Sequence, residues 1–201
     1  MRQNRIHISP GAVLVAALLF FFLDPGTLWA LLLPAAAHEL GHVLALRLMG
    51  MRIRGFRAEM KGLCIDYCGF CGTGGHIFAA AAGPLAGLVY AFAASCAARL
   101  FDSDMAALSA GISLLLSAFN MLPVLPLDGG RIFSRAACAL LGVGRGERLT
   151  KKVGLILSAA ALAAGLLLLW QGYGAGLSLA ALWLLLAQPE GEGIVKRKEI
   201  L

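Results

Sequence analysis

The residues of this chain best suited to chemistry crowd into one short stretch, AAAHELGHVLAL, at residues 35–46. His38 and His42 stand four apart, so on a helix they share a face. Two imidazoles grip one zinc ion at that spacing, and Glu39 lies beside the first, where it can take a proton from an attacking water. Everything around them is apolar. An ionisable residue at the centre of a bilayer costs at least about 2.5–3.5 kcal/mol on insertion scales. Three of them within five residues therefore need compensation, and a metal ion provides it. A lone histidine here would read as a satisfied core residue; two at ligand spacing beside a carboxylate read as a metal site.

A catalytic zinc takes three protein ligands and keeps one position open. His7 and His76 fall at the ends of apolar runs and are poorly placed as the third. NMLPVLPLDGGR, residues 120–131, offers a better candidate. Pro123 and Pro126 interrupt a helical run, and Asp128 follows in otherwise apolar surroundings before two glycines. Broken helices in membranes are tolerated where they line a cavity or are buried in protein. The competing reading of Asp128 is a turn at the membrane surface. Asn120 could donate a hydrogen bond to a substrate carbonyl, or act as an amide that packs helices together.

These groups need elements to hold them, and composition says of what kind. The 201 residues are 60% hydrophobic and only 14% charged, with a mean hydropathy of +0.83; a soluble domain carries about 25% charge. A membrane-crossing helix needs roughly 20 apolar residues. Candidate runs lie at 8–23, 27–49, 77–100, 105–122 (with a shorter continuation at 132–141), 153–171 and 175–188. The expected fold is an all-α polytopic membrane protein of about six transmembrane helices. Residues 50–76 differ: they are basic and glycine-rich with β-compatible pieces, and are expected to form a small β-hairpin loop at the cytoplasmic membrane surface. The first run carries no small-residue cleavage pattern before Asp24-Pro25-Gly26 and reads as an uncleaved span.

Charge placement sets the orientation. Of the 17 lysines and arginines, all but Arg99 fall on one side of a six-span layout, and the other side holds Arg99 beside Asp102 and Asp104. Lys and Arg near span ends stay in the cytoplasm, so both termini are expected there. The net charge of +6 therefore points to anionic lipid head groups and not to nucleic acid, because the basic residues flank spans without aromatic interleaving. His42 lies seven residues before Met49. At 1.5 Å per residue that is about 10 Å from the span end, so the site is in the membrane but nearer its cytoplasmic face.

HELGH in one span and NMLPVLPLDGG in a later one, with AAGPLAG (residues 81–87) between, resemble the site-2 protease family of intramembrane zinc metalloproteases. The resemblance covers roughly residues 27–135. It implies His38, His42 and Asp128 as zinc ligands, Glu39 as general base, and Asn120 as a substrate or transition-state contact. It further implies a single peptidase domain over 1–201, with its core at about 27–141 and two C-terminal spans at 153–188. Its partners would be one catalytic Zn2+, the lipid bilayer, a membrane-associated protein substrate and an inhibitory membrane protein. Six spans with both ends cytoplasmic are most similar to the bacterial sporulation branch, the stage IV sporulation protein FB type, which processes a membrane-associated pro-sigma factor. No CBS or PDZ domain is expected, since the chain stops about a dozen residues after the sixth run.

Other signals carry less. Cys64, Cys68 and Cys71, with His76 near, could hold a second, structural zinc, although such loop cysteines are ordinarily unengaged. Cys96 and Cys138 read as buried small hydrophobes, and Gly83 and Gly87 as a close helix contact. The rival functions are a zinc transporter, which would need a polar path to the far side, and a non-catalytic scaffold, which would have no use for an unligated Glu39.

Overall fold

The computed structural model describes residues 5–59, 62–69, 72–172 and 174–187, apart from the side chains at 5, 6, 59 and 62–64. The chain runs β1 (Arg5–Ile8), α1 (Pro10–Phe22), α2 (Pro25–Leu48), β2 (Arg52–Glu59), β3 (Gly62–Cys68), α3 (Thr73–Phe101), α4 (Asp104–Asn120), α5 (Asp128–Leu141), α6 (Val143–Trp170) and α7 (Gly176–Ala187). It divides into two compact units, Met1–Asn120 and Met121–Leu201.

All six expected apolar runs are helical. α2, α3 and α6 are long and apolar enough to cross a membrane; α1, α4 and α7 are apolar but shorter. Local chemistry sets several ends. Ser9 and Asp24 cap α1 and α2, each followed by proline at a first helical position. Asp24 accepts from the Thr27 backbone N–H at 2.9 Å and from its hydroxyl at 2.7 Å. Those bonds, the backbone one foremost, hold its carboxyl below the ordinary carboxylate range. α3 ends at Asp102, whose left-handed backbone (φ 47°) turns the chain into α4.

The surface is apolar and much of the interior is small or polar, the arrangement expected when lipid is the solvent. Phe21, Phe22, Leu115 and Trp170 are exposed, while Ser109, Ser113, Ser117, Thr150 and Ser158 are buried. In the first unit α2, α3 and α4 pack on one another. Ser113 donates to the Gly87 carbonyl at 2.7 Å, and the Tyr90 and Ser109 hydroxyls bond at 2.8 Å. Cys96, expected to be buried, is instead exposed on α3: a thiol is apolar enough to face lipid.

Two elements depart from expectation. The 50–76 hairpin exists, but it belongs to a three-stranded sheet of order β1-β2-β3. β2 and β3 are antiparallel, with a register shift between Ile53 and Gly55, whereas β1 pairs parallel to β2 from Arg5↔Gly55 to Ile8↔Ala58. A parallel pair needs a long crossover, and α1 and α2 supply it. Four residues at a chain end have no periodicity to betray such a strand. The second departure is α6, which starts at Val143, ten residues before the apolar run expected to form it. Gly146, Glu147 and Thr150 are buried on that added stretch, and the Thr150 hydroxyl donates to the Gly146 carbonyl at 2.9 Å. Side-face packing on α5 thus extends the helix through a polar sequence.

Candidate metal centre

α2 carries His38, Glu39 and His42. Both histidines are buried and Glu39 is half-buried. The His42 Nδ1 lies 2.7 Å from the Ala79 carbonyl of α3. A carbonyl only accepts, so Nδ1 carries a hydrogen, and in the neutral ring Nε2 keeps its lone pair. Such a bond to the far ring nitrogen orients a histidine ligand and raises its basicity. His42 Nε2 in turn stands 3.3 Å from His38 Nε2, with the two ring planes 79° apart. Two nitrogens, each about 2.0–2.1 Å from a tetrahedral zinc, are separated by about 3.3–3.4 Å. The pair therefore fits the ion that the sequence pattern implies.

Room for that pair comes from α3. A Cβ built at Gly83 would collide with His42 Nε2 and its neighbouring ring carbons. A Cβ at Gly41, inside the HELGH stretch, would strike the Ala82 carbonyl and the Ala86 methyl. The small-residue segment 81–87 is thus the surface against which the histidine face of α2 is seated. Reading it as close packing was correct in kind. The carbonyl that orients His42 and the specific use of Gly83 were not visible in one dimension, because backbone groups carry no sequence signal.

Asn120 is the last residue of α4 and closes the first unit. Its amide donates to the Leu116 carbonyl at 3.0 Å, one turn back in its own helix. Asp128 belongs to the second unit, where it is the first residue of α5 and 4% exposed. A carboxylate is favoured at a helix N-terminus, and Arg131 reaches its Oδ1 at 3.3 Å. The preceding segment folds on itself, with Val124 N bonded to Leu122 O and Leu127 N to Val124 O. Side chains at Gly129 and Gly130 would run into the backbone at Met121–Leu122 and at Val124–Leu125. The Asp-Gly-Gly string therefore starts a helix under a tightly folded loop, where a surface turn was the competing reading.

Residues 97–165 match the model of Peptidase family M50, a stretch that includes Asn120 and Asp128 and stops short of His38. No curated protein matches the chain. Among solved structures, the Site-2 Protease from Methanocaldococcus jannaschii superposes with a TM-score of 0.72 at 20% identity, covering 100% of this chain and 99% of that one. The fold is that of a site-2 protease. The apolar helices and the site-2 protease fold together make this an integral membrane protein.

Of the cysteine cluster, Cys68 is half-buried with a free thiol. The Cys64 side chain and Cys71 lie outside the described residues. The neighbouring His76 is engaged through Nδ1 with the Tyr67 hydroxyl at 3.2 Å.

Proposed function

We propose that this chain is an intramembrane zinc metalloprotease, in which His38, His42 and Asp128 hold one zinc ion and Glu39 is the general base. The observation that carries the reading is the convergence of two histidine Nε2 atoms at 3.3 Å on a buried helix face, one of them oriented by a backbone carbonyl. The M50 match across Asp128 and the site-2 protease fold support it.

A bound zinc supplies Lewis acidity, polarising a scissile carbonyl and making water easier to deprotonate. The chain's own residues do the rest. Glu39 takes the proton of the attacking water and passes it to the leaving amine. Asp128 would complete the ligand set, and Arg131 bonds its Oδ1 at 3.3 Å. Asn120 contacts the substrate carbonyl, exchanging its Leu116 partner for it. A transmembrane helix has its carbonyls bonded internally and must unwind to be cut. β3, at the edge of the sheet, receives the unwound segment by strand addition. In this reading α1–α4, α6 and α7 make six crossings with both termini cytoplasmic. The substrate is membrane-associated, of the pro-sigma-factor kind handled by the sporulation branch.

One measurement set tests this: zinc content and cleavage of a membrane substrate in lipid, for wild type and variants. Since a hydrogen bond between the two rings would give the same nitrogen separation, metal content is decisive for the site. His38→Ala and Asp128→Ala are expected to lose zinc and activity together. Full zinc in Asp128→Ala would assign the third ligand elsewhere. Glu39→Gln is expected to keep its zinc while turnover falls by about 10²–10⁴-fold. Zinc-loaded wild type that cleaves nothing and moves zinc across the bilayer would make the protein a transporter. Reporter fusions at Asp102 should report the far side of the membrane, and at Gly146 the cytoplasm.

A further inference from the structure

Away from the histidines, the first unit holds a groove of about 560 Å³ between the C-terminal half of α3 and the N-terminal half of α4. Phe92 and Leu114 wall it, and Ala107 and Gly111 leave it hollow. Small residues ordinarily bring membrane helices into contact. Here a Cβ at Gly111 would find no atom within 4 Å, so the gap stays open. The lining has two polar residues, Ser95 and Arg99. Arg99 is exposed in the last turn of α3 and makes no hydrogen bond or ion pair among the described residues, even with Asp102 and Asp104 following closely.

We infer that this groove binds one phospholipid, its acyl chain in the slot between α3 and α4 and its phosphate on Arg99. A slot with apolar walls and a single free cation at its end is complementary to an amphiphile whose anionic group is attached to a long apolar tail. Guanidinium binds phosphate through paired N–H donors. The inference requires membrane embedding and does not depend on proteolysis.

Native mass spectrometry of the full chain in detergent tests it, with phosphatidylglycerol and a phosphate-free galactosyl diacylglycerol of the same acyl chains added in equal amounts. Wild type is expected to retain one phosphatidylglycerol in preference. Arg99→Gln should lower that retention at least tenfold, and Arg99→Lys should restore part of it. Gly111→Leu, which fills the slot while leaving the charge, should abolish it. Undiminished retention in Arg99→Gln, or in Gly111→Leu with unchanged melting, overturns the assignment. So does equal retention of both lipids by wild type, or one-for-one displacement of the lipid by a transmembrane peptide.

Discussion

The two halves of α3 use the same kind of residue to opposite effect. In the N-terminal half, the places where Gly83 and Gly87 lack a side chain are filled, by the His42 ring and by the Ser117 hydroxyl. In the C-terminal half, α3 faces Gly111 of α4 across open space. The difference lies in the polar groups that neighbouring helices offer. His42 bonds to the Ala79 carbonyl and Ser113 to the Gly87 carbonyl, each tying a helix to the α3 backbone. Ser109 and Ser113, two residues to either side of Gly111, bond to Tyr90 and Gly87 of α3, but no group lies within 4 Å of where a Gly111 side chain would begin. Lipid provides no hydrophobic force to close a gap between helices, so small residues permit contact and hydrogen bonds decide where it occurs.

This contrast can be broken at graded cost. Gly83→Ala has the largest expected effect, because the added methyl must displace the Nε2 edge of a His42 ring whose Nδ1 is held on the Ala79 carbonyl. Zinc per chain should fall as far as it does in His42→Ala, with cleavage lost in parallel; a fully loaded Gly83→Ala protein would show that the His42 ring is free to move. Gly87→Ala comes next, since its methyl clashes with the Ser117 hydroxyl and meets Ser113 Oγ and the Ser117 Cβ at ordinary contact distance. Destabilisation of about 1–3 kcal/mol is expected from overpacking, read as reduced resistance to unfolding in detergent. Adding Ser117→Ala should restore most of it. That hydroxyl is buried without a partner among the described residues, and with it gone the new methyl meets the residue-117 Cβ at an ordinary 3.6 Å. No rescue by the double variant would place the strain elsewhere. Gly111→Ala closes the series. With open space at its Cβ, it should be neutral or stabilise by about 0.4–1 kcal/mol, as glycine replacement does in an unstrained helix. A loss of stability there would mean that α3 and α4 close the slot in the membrane.

Much of the candidate site was legible in the residues. The 3.6-residue period puts His38 and His42 on one helix face whatever packs around them, and their placement among apolar neighbours marks them as costly without a metal. The interrupted run before Asp128 signalled a special segment, but not that Asp128 would open a helix beneath a folded loop. The polar beginning of α6 and the short strand β1 were illegible. In both, tertiary packing or pairing overrides a local pattern that points elsewhere or nowhere.

The sequence alone determined what depends on residues within a turn of one another: the capped starts of α1 and α2 and the shared face of the two histidines. Only the tertiary structure decided which nitrogen of His42 carries the hydrogen, because its partner is a backbone carbonyl 37 residues away. The same holds for the use of Gly83, the parallel pairing of β1 with β2, and the open slot beside Arg99. Each is a relation between segments distant along the chain, fixed by hydrogen bonds and steric fit that exist only once those segments meet.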